Sequence, residues 1–134
     1  MIMSQVLKAV ILLFILASVK CKLQTALQEV IHDTSKENVK KISCGDDMIH
    51  HVDFKMHKCA NVSEVFCKAA KALGNIIHHH NCQNSTIFRI YVLTTTIDQN
   101  ANCTVNEDEE VDLKTFLSGL RVFSRFVMRH NCTL

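Results

Sequence analysis

Three consecutive histidines, His78, His79 and His80, lie between Cys67 and Cys82 in the stretch VFCKAAKALGNIIHHHNC. Imidazole and thiolate bind zinc, and a thiolate beside a histidine can act as a nucleophile. The spacing supports neither chemistry. The stretch starts as an amphipathic helix, and neighbouring residues on a helix point about 100° apart, so adjacent imidazoles do not converge on one ion. His78 has no histidine at i+4. There is no C-x-x-C, and the closest cysteines, Cys59 and Cys67, have seven residues between them, which is not zinc spacing. Gly-x-Ser-x-Gly, His-Glu-x-x-His and a phosphate-cradling glycine loop are also missing. The sequence therefore assigns no catalytic residue, no metal ligand and no cofactor. The histidines read as the exposed end of a helix stapled by cysteines.

The cysteines take their meaning from the start of the chain. Lys8 precedes an unbroken apolar run from Ala9 to Ala17, too short to span a bilayer and suited to a signal-peptide core. A leader over residues 1–20 is expected, with cleavage between 18 and 21, followed by one domain over 21–134. No later segment has the length and apolarity of an anchor, so a secreted protein without membrane insertion is expected. In that compartment the chain's seven cysteines read as a disulfide framework. Whether Cys21 survives cleavage decides between six and seven in the mature domain. Asn61, Asn84, Asn102 and Asn131 open Asn-x-Ser/Thr sequons. In the last two the middle residue is cysteine, where disulfide formation competes with glycosylation, so Asn61 and Asn84 are the favoured acceptors. Lys8 and Lys20 belong to the leader. Removing them from the 15 basic residues leaves 13 against 13 acids. A near-neutral domain gives no reason to expect a nucleic-acid partner.

The elements that carry these residues are mostly helical. The chain contains no proline, which favours long helices over a turn-rich β fold. In KLQTALQEVIHDTSKENVKKI, residues 22–42, the apolar Leu23, Ala26, Leu27, Val30 and Ile31 share one helical face. The spacing predicts a helix that ends in Lys36, Lys40 and Lys41 before Cys44-Gly45. In MIHHVDFKMHKCA, residues 48–60, Val52, Phe54 and Met56 alternate with Asp53 and Lys55, as in a short strand. Asn61 and Glu64 are spaced for a capping box that starts a helix running to about His80. Residues 85–100, STIFRIYVLTTTIDQN, are ambiguous. Their β-branched content favours a strand, while Ile87, Ile90, Tyr91, Thr94 and Ile97 trace a helical stripe. The clearest element is residues 106–132. Its acids from Glu107 to Glu110 suit a helix N-terminus, and Leu113, Phe116, Leu117, Leu120, Phe123 and Val127 form its core face. Four helical segments with one extended piece suggest a disulfide-tied four-helix bundle.

Three stretches carry a resemblance: LQEVI in the first helix, FCKAAKAL with its His-rich end in the second, and CTV followed by acids and the TFLSGLR helix ending at Cys132. In these, and in the order of its cysteines, the chain resembles a divergent member of the interleukin-4/interleukin-13 family, over essentially the whole expected mature domain. The resemblance implies an all-α short-chain cytokine bundle, up-up-down-down, with two long crossovers carrying a small two-stranded ribbon. HVDFK and NCTVN would supply the two strands, and residues 86–98 would be the third helix. It implies the bridges Cys44–Cys82 and Cys67–Cys103, and a third from Cys132 to an N-terminal cysteine, here Cys21. Cys59 departs from the family pattern and offers Cys132 a second possible partner. The resemblance also implies a monomeric ligand that bridges an interleukin-4 receptor α-like chain and a second signalling chain. Glu29 of LQEVI would anchor the α chain, with Arg89 beside it. Arg121, Arg125 and Arg129, in the C-terminal half of the last helix, would face the second chain. Another short-chain helical cytokine is the near alternative. A saposin-like lipid binder would want its cysteines paired at the chain ends, and a secreted phospholipase would want Cys-Cys-x-x-His-Asp.

Overall fold

A computed structural model of the chain describes residues 22–45, 47–55, 59–98 and 102–132. The expected leader and Cys21 lie outside the described residues. Helix α1 covers residues 22–33 and buries Ala26, Leu27 and Val30 of the expected stripe, with Leu23 and Ile31 half-buried. It does not continue to residue 42. Thr34 turns its hydroxyl back on the Val30 carbonyl at 2.7 Å, and Ser35 takes an extended conformation with ψ 154°. Short hydroxyl side chains offer the backbone such an alternative to the helix ladder. A single turn, α2 (Lys36–Val39), follows the break.

Helix α3 spans Val62–His79, α4 spans Ser85–Asp98 and α5 spans Leu113–Arg129. The expected capping box at α3 does not form. Asn61 sits in the left-handed region at φ 60° and makes no side-chain cap bond, while Glu64 pairs with Lys68 one turn on. Helix α4 is helical despite its β-branched run. Ile87, Ile90, Thr94 and Ile97 are buried along one stripe, and the hydroxyls of Thr94, Thr95 and Thr96 bond back to carbonyls of Tyr91 and Val92. Burial of that stripe overrides local propensity. The acids Glu107 to Glu110 lie ahead of α5 rather than in its first turn. The N-cap is Asp112, whose carboxylate accepts from the Lys114 and Thr115 amides, the usual way of satisfying first-turn donors.

The contacts fix the helix directions. Asp33 at the end of α1 meets Arg89 near the start of α4. Cys67 near the start of α3 meets Cys103 after α4, and Cys59 before α3 meets Cys132 after α5. Each pair joins opposite ends, so α4 and α5 run against α1 and α3. The result is the up-up-down-down arrangement of short-chain helical cytokines, with a small antiparallel ribbon across the two crossovers. Both strands fall elsewhere than HVDFK and NCTVN. Strand β1 is Met48–His50 and β2 is Glu110–Asp112, with Ile49 opposite Val111. Residues 51–55 leave the ladder after one more bond, His51 N to Glu109 O, because Phe54 turns onto α5. Residues 102–106 are held elsewhere, with Cys103 bonded to Cys67 and its carbonyl accepting from Lys71 Nζ.

The core joins the helices through aromatic contacts. Phe54 lies 5.3 Å from Phe116 and 6.0 Å from Phe123, and Phe66 lies 5.1 Å from Phe123. Such pairs add about 0.5–1.5 kcal/mol each to their burial. Gly119 of α5 permits Phe54 to approach, since a Cβ there would stand 2.7 Å from its ring. The bridge left open by the sequence is closed by Cys59, which pairs with Cys132. The other two are Cys44–Cys82 and Cys67–Cys103, separated by 38 and 36 residues. Loops of that length contribute about 2–4 kcal/mol in the chain-entropy account.

Two expectations follow. Non-reducing peptide mapping of the protein should return Cys59 joined to Cys132, and recovery of a Cys21–Cys132 peptide would contradict this pairing. The helix glycines should respond oppositely to alanine. Gly119→Ala should lower the urea-unfolding free energy by about 1–2 kcal/mol, since overpacking outweighs the helix-propensity gain. Gly74→Ala, whose new methyl would stand 3.4 Å from Tyr91, should raise it by about 0.5–1 kcal/mol.

Candidate functional site

The C-terminal end of α1 gathers three of the residues singled out from the sequence, Glu29, Arg89 and Arg121. A helix end leaves carbonyls without partners, and here those of Val30, Ile31 and His32 find them. Val30 O accepts from the Thr34 amide and hydroxyl. His32 O accepts from Ser35 N and from Asn38 Nδ2 at 2.9 Å. Ile31 O accepts from Arg121 Nη1 of α5 at 2.6 Å. A guanidinium in this place also complements the negative end of the helix dipole.

Asp33, the last residue of α1, faces α4. Its carboxylate is 3% exposed, and it receives Arg89 in a two-pronged bond. Arg89 Nε donates to Oδ2 and Arg89 Nη2 donates to Oδ1, each at 2.7 Å. The guanidinium itself is 59% exposed. Hydrogen bonding to Asp33 and the charge of Asp33 raise its pKa above the ordinary arginine value, burial opposes this slightly, and the charge of Glu29 adds to the rise. Arg89 is therefore a permanent cation. Glu29, one turn before Asp33, is exposed and close enough to act on it. The sequence-expected pair, Glu29 and Arg89, thus stand on neighbouring helices, with the charge of Glu29 felt at Arg89.

Two features of this face were not singled out from the sequence. Asp33 is one. Its cue was a charged residue on the continuation of the apolar stripe of α1, three positions past Val30. The other is an apolar pair on α4, Phe88 at 54% and Val92 at 46% exposed, flanking Arg89. Phe88 lies off the buried stripe, which was its only signal.

The three arginines of α5 do not form one equivalent set. Arg121 is half-buried on the α1 carbonyl, whereas Arg125 and Arg129 are exposed. Helix α1 is thereby flanked on one side by α4 through Asp33 and on the other by α5 through Ile31. Of the sequon residues, Asn61, Asn102 and Asn131 are exposed. Asn84 is half-buried, with Oδ1 accepting from the Thr86 and Ile87 amides at the start of α4. His78, His79 and His80 are exposed at the end of α3, with His78 edge-on to Tyr91. Among the described residues no group of three metal-ligating side chains comes together, and no helix is long and apolar enough to cross a membrane.

Comparison with known proteins bears on how this face is read. The family model described as Interleukin 4 matches residues 22–129. Interleukin-4 of Lama glama is 32% identical over 100 residues, covering 75% of this chain and 74% of the relative. Interleukin-4 of Tursiops truncatus is 30% identical over 104 residues, covering 78% and 77%. Interleukin-4 of Canis lupus familiaris is 30% identical over 96 residues, covering 72% and 70%. No solved structure gives a significant match.

The α5 geometry predicts unequal effects on stability. Arg121→Ala should cost about 1 kcal/mol, because it removes a charge-assisted bond from a helix end and leaves a carbonyl half-satisfied. Arg125→Ala and Arg129→Ala, at exposed positions, should stay within about 0.5 kcal/mol of wild type. Equilibrium urea denaturation of the three variants checks this.

Proposed function

The chain belongs to the interleukin-4 family of helical cytokines, and we propose that it acts as a secreted type-2 cytokine that bridges two receptor chains on immune cells. Its mechanism is binding rather than chemistry. Receptor chains brought together on the cell surface activate their associated kinases, and the readout is transcription in the target cell. The leader expected over residues 1–20 would carry the protein through the secretory route, where the three disulfides form and Asn61 and Asn84 are the favoured glycan acceptors.

The observation that carries this reading is that Arg89 of α4, held by Asp33 at the end of α1, stands within electrostatic reach of Glu29. A carboxylate and a guanidinium within reach of each other can engage a partner's donors and acceptors through charge-assisted bonds, which are about twice as strong as neutral ones. Phe88 and Val92 add exposed apolar surface on the helix that carries Arg89. Charged anchors ringed by contacts that exclude water are the usual make-up of a binding hot spot. This α1/α4 face is assigned to an interleukin-4 receptor α-like chain. The second signalling chain is assigned to α1 with α5, where Arg125 and Arg129 are exposed and Arg121 is partly so. Because α1 lies between α4 and α5, a single monomer can present both faces at once.

Glu29→Ala tests the first face. Losing one member of a desolvated charge-assisted pair costs about 2–5 kcal/mol, because its partner is left buried and unpaired. Affinity for the α-type receptor ectodomain should fall by about 30-fold or more, mostly through faster dissociation. Unfolding free energy should stay within about 0.5 kcal/mol of wild type, as at other exposed sites. Surface plasmon resonance with the refolded mature protein measures this, and unchanged dissociation would mark Glu29 as an ordinary solvated helix residue.

A further inference from the structure

We propose that Asp33 is a positioning residue: its buried carboxylate fixes one edge of the Arg89 guanidinium so that the opposite edge is presented, beside Glu29, to the receptor. The inference rests on the reading of Glu29 and Arg89 as a contact pair.

The geometry divides the guanidinium in two. It carries five N–H donors in a planar fork. Nε and Nη2 each give one to Asp33 at 2.7 Å. The donors left over are both on Nη1 and the second on Nη2, and the side chain is 59% exposed. That free edge is itself a two-pronged donor, suited to a carboxylate or a pair of carbonyls on the partner.

The acid that holds it has little freedom. Asp33 is 3% exposed and is the last residue before the Thr34–Ser35 break. Its backbone is set by the Thr34 amide and hydroxyl bonds to Val30 O. An apolar residue at this core-facing position would avoid the desolvation cost of a carboxylate, so packing gives no reason for an acid there. The acid does order a long, otherwise mobile side chain before any partner arrives. An unordered arginine would lose that freedom on binding, and pre-ordering it raises affinity without adding a contact.

The test combines a signal from the free protein with a binding cycle. In 15N NMR of the intact mature protein, the Arg89 Nε–H resonance should exchange slowly with solvent. It should lose that protection in Asp33→Asn and largely keep it in Asp33→Glu. On an α-type receptor ectodomain, Asp33→Asn should weaken binding about threefold to tenfold, the range that ordering one long side chain covers. In an Arg89→Ala background the same substitution should change nothing, and Asp33→Glu should recover most of the loss. Circular dichroism verifies the fold, and Asp33→Ser is a smaller second variant should the asparagine chain fail to fold. Equal losses with and without Arg89 would overturn the proposal, because Asp33 would then act through packing. Tighter binding by Asp33→Asn would overturn it too, by showing that the acid competes with the receptor for Arg89. Wild-type binding by Asp33→Asn, where Arg89→Ala is impaired, removes the positioning role alone. Wild-type binding by Arg89→Ala removes the contact pair and the positioning role with it.

Discussion

The fold turns on how α1 ends. A helix that stops inside a bundle exposes carbonyls that must be satisfied, and the break at Thr34 and Ser35 determines which neighbours satisfy them. Thr34 closes the last turn on itself, Asn38 folds back from the next turn, and Arg121 reaches across from α5. The same break leaves Asp33 buried and aimed at α4, where Arg89 occupies both its oxygens. One helix terminus is thus joined to two helices running the other way. Had α1 continued to residue 42 as its periodicity suggests, Ile31 and His32 would have kept their carbonyls for the helix ladder.

The disulfides act on the crossovers that the helices leave long. Cys44–Cys82 ties the connection after α1 to the end of α3, Cys67–Cys103 ties α3 to the segment after α4, and Cys59–Cys132 ties the approach to α3 to the end of α5. Between these staples the first crossover has room for two tasks. Residues 48–50 pair with residues 110–112, and Phe54 then packs onto α5 over Gly119. The ribbon is short because its two strands have different duties on either side. Asp112 caps α5 immediately after β2, and residues 51–55 leave the sheet to bury an aromatic ring.

The charged residues contribute to the fold in different proportions. Arg121 gives a donor to the fold, Arg125 and Arg129 stand in solvent, and Arg89 divides its donors between Asp33 and the surface. A set of arginines that looks uniform in sequence is therefore not uniform in role. In the proposed contact face the apolar share comes from Phe88 and Val92, which the core stripe of α4 leaves outside.

The sequence by itself determined the class of the fold, because apolar spacing on α1, α3 and α5 is a local signal strong enough to place the core face of each helix. Leu113, Phe116, Leu117, Leu120, Phe123 and Val127 are all buried as their spacing requires. Cysteine order and the LQEVI and TFLSGLR stretches carried the family resemblance. What depended on partners distant in the chain was decided only by the tertiary structure. Helix α4 is a helix because its stripe is buried against α3, against its own β-branched preference. The strands moved from 51–55 and 102–106 to Met48–His50 and Glu110–Asp112 because Phe54 and Cys103 were needed elsewhere. Cys132 had two possible partners in sequence and one in space. Asp33, which looks like one more polar residue near a helix end, becomes the buried anchor of Arg89 only when α4 is laid beside α1. Two charges 56 residues apart leave no periodic trace of their meeting, because the distance between them is set by packing and not by the chain.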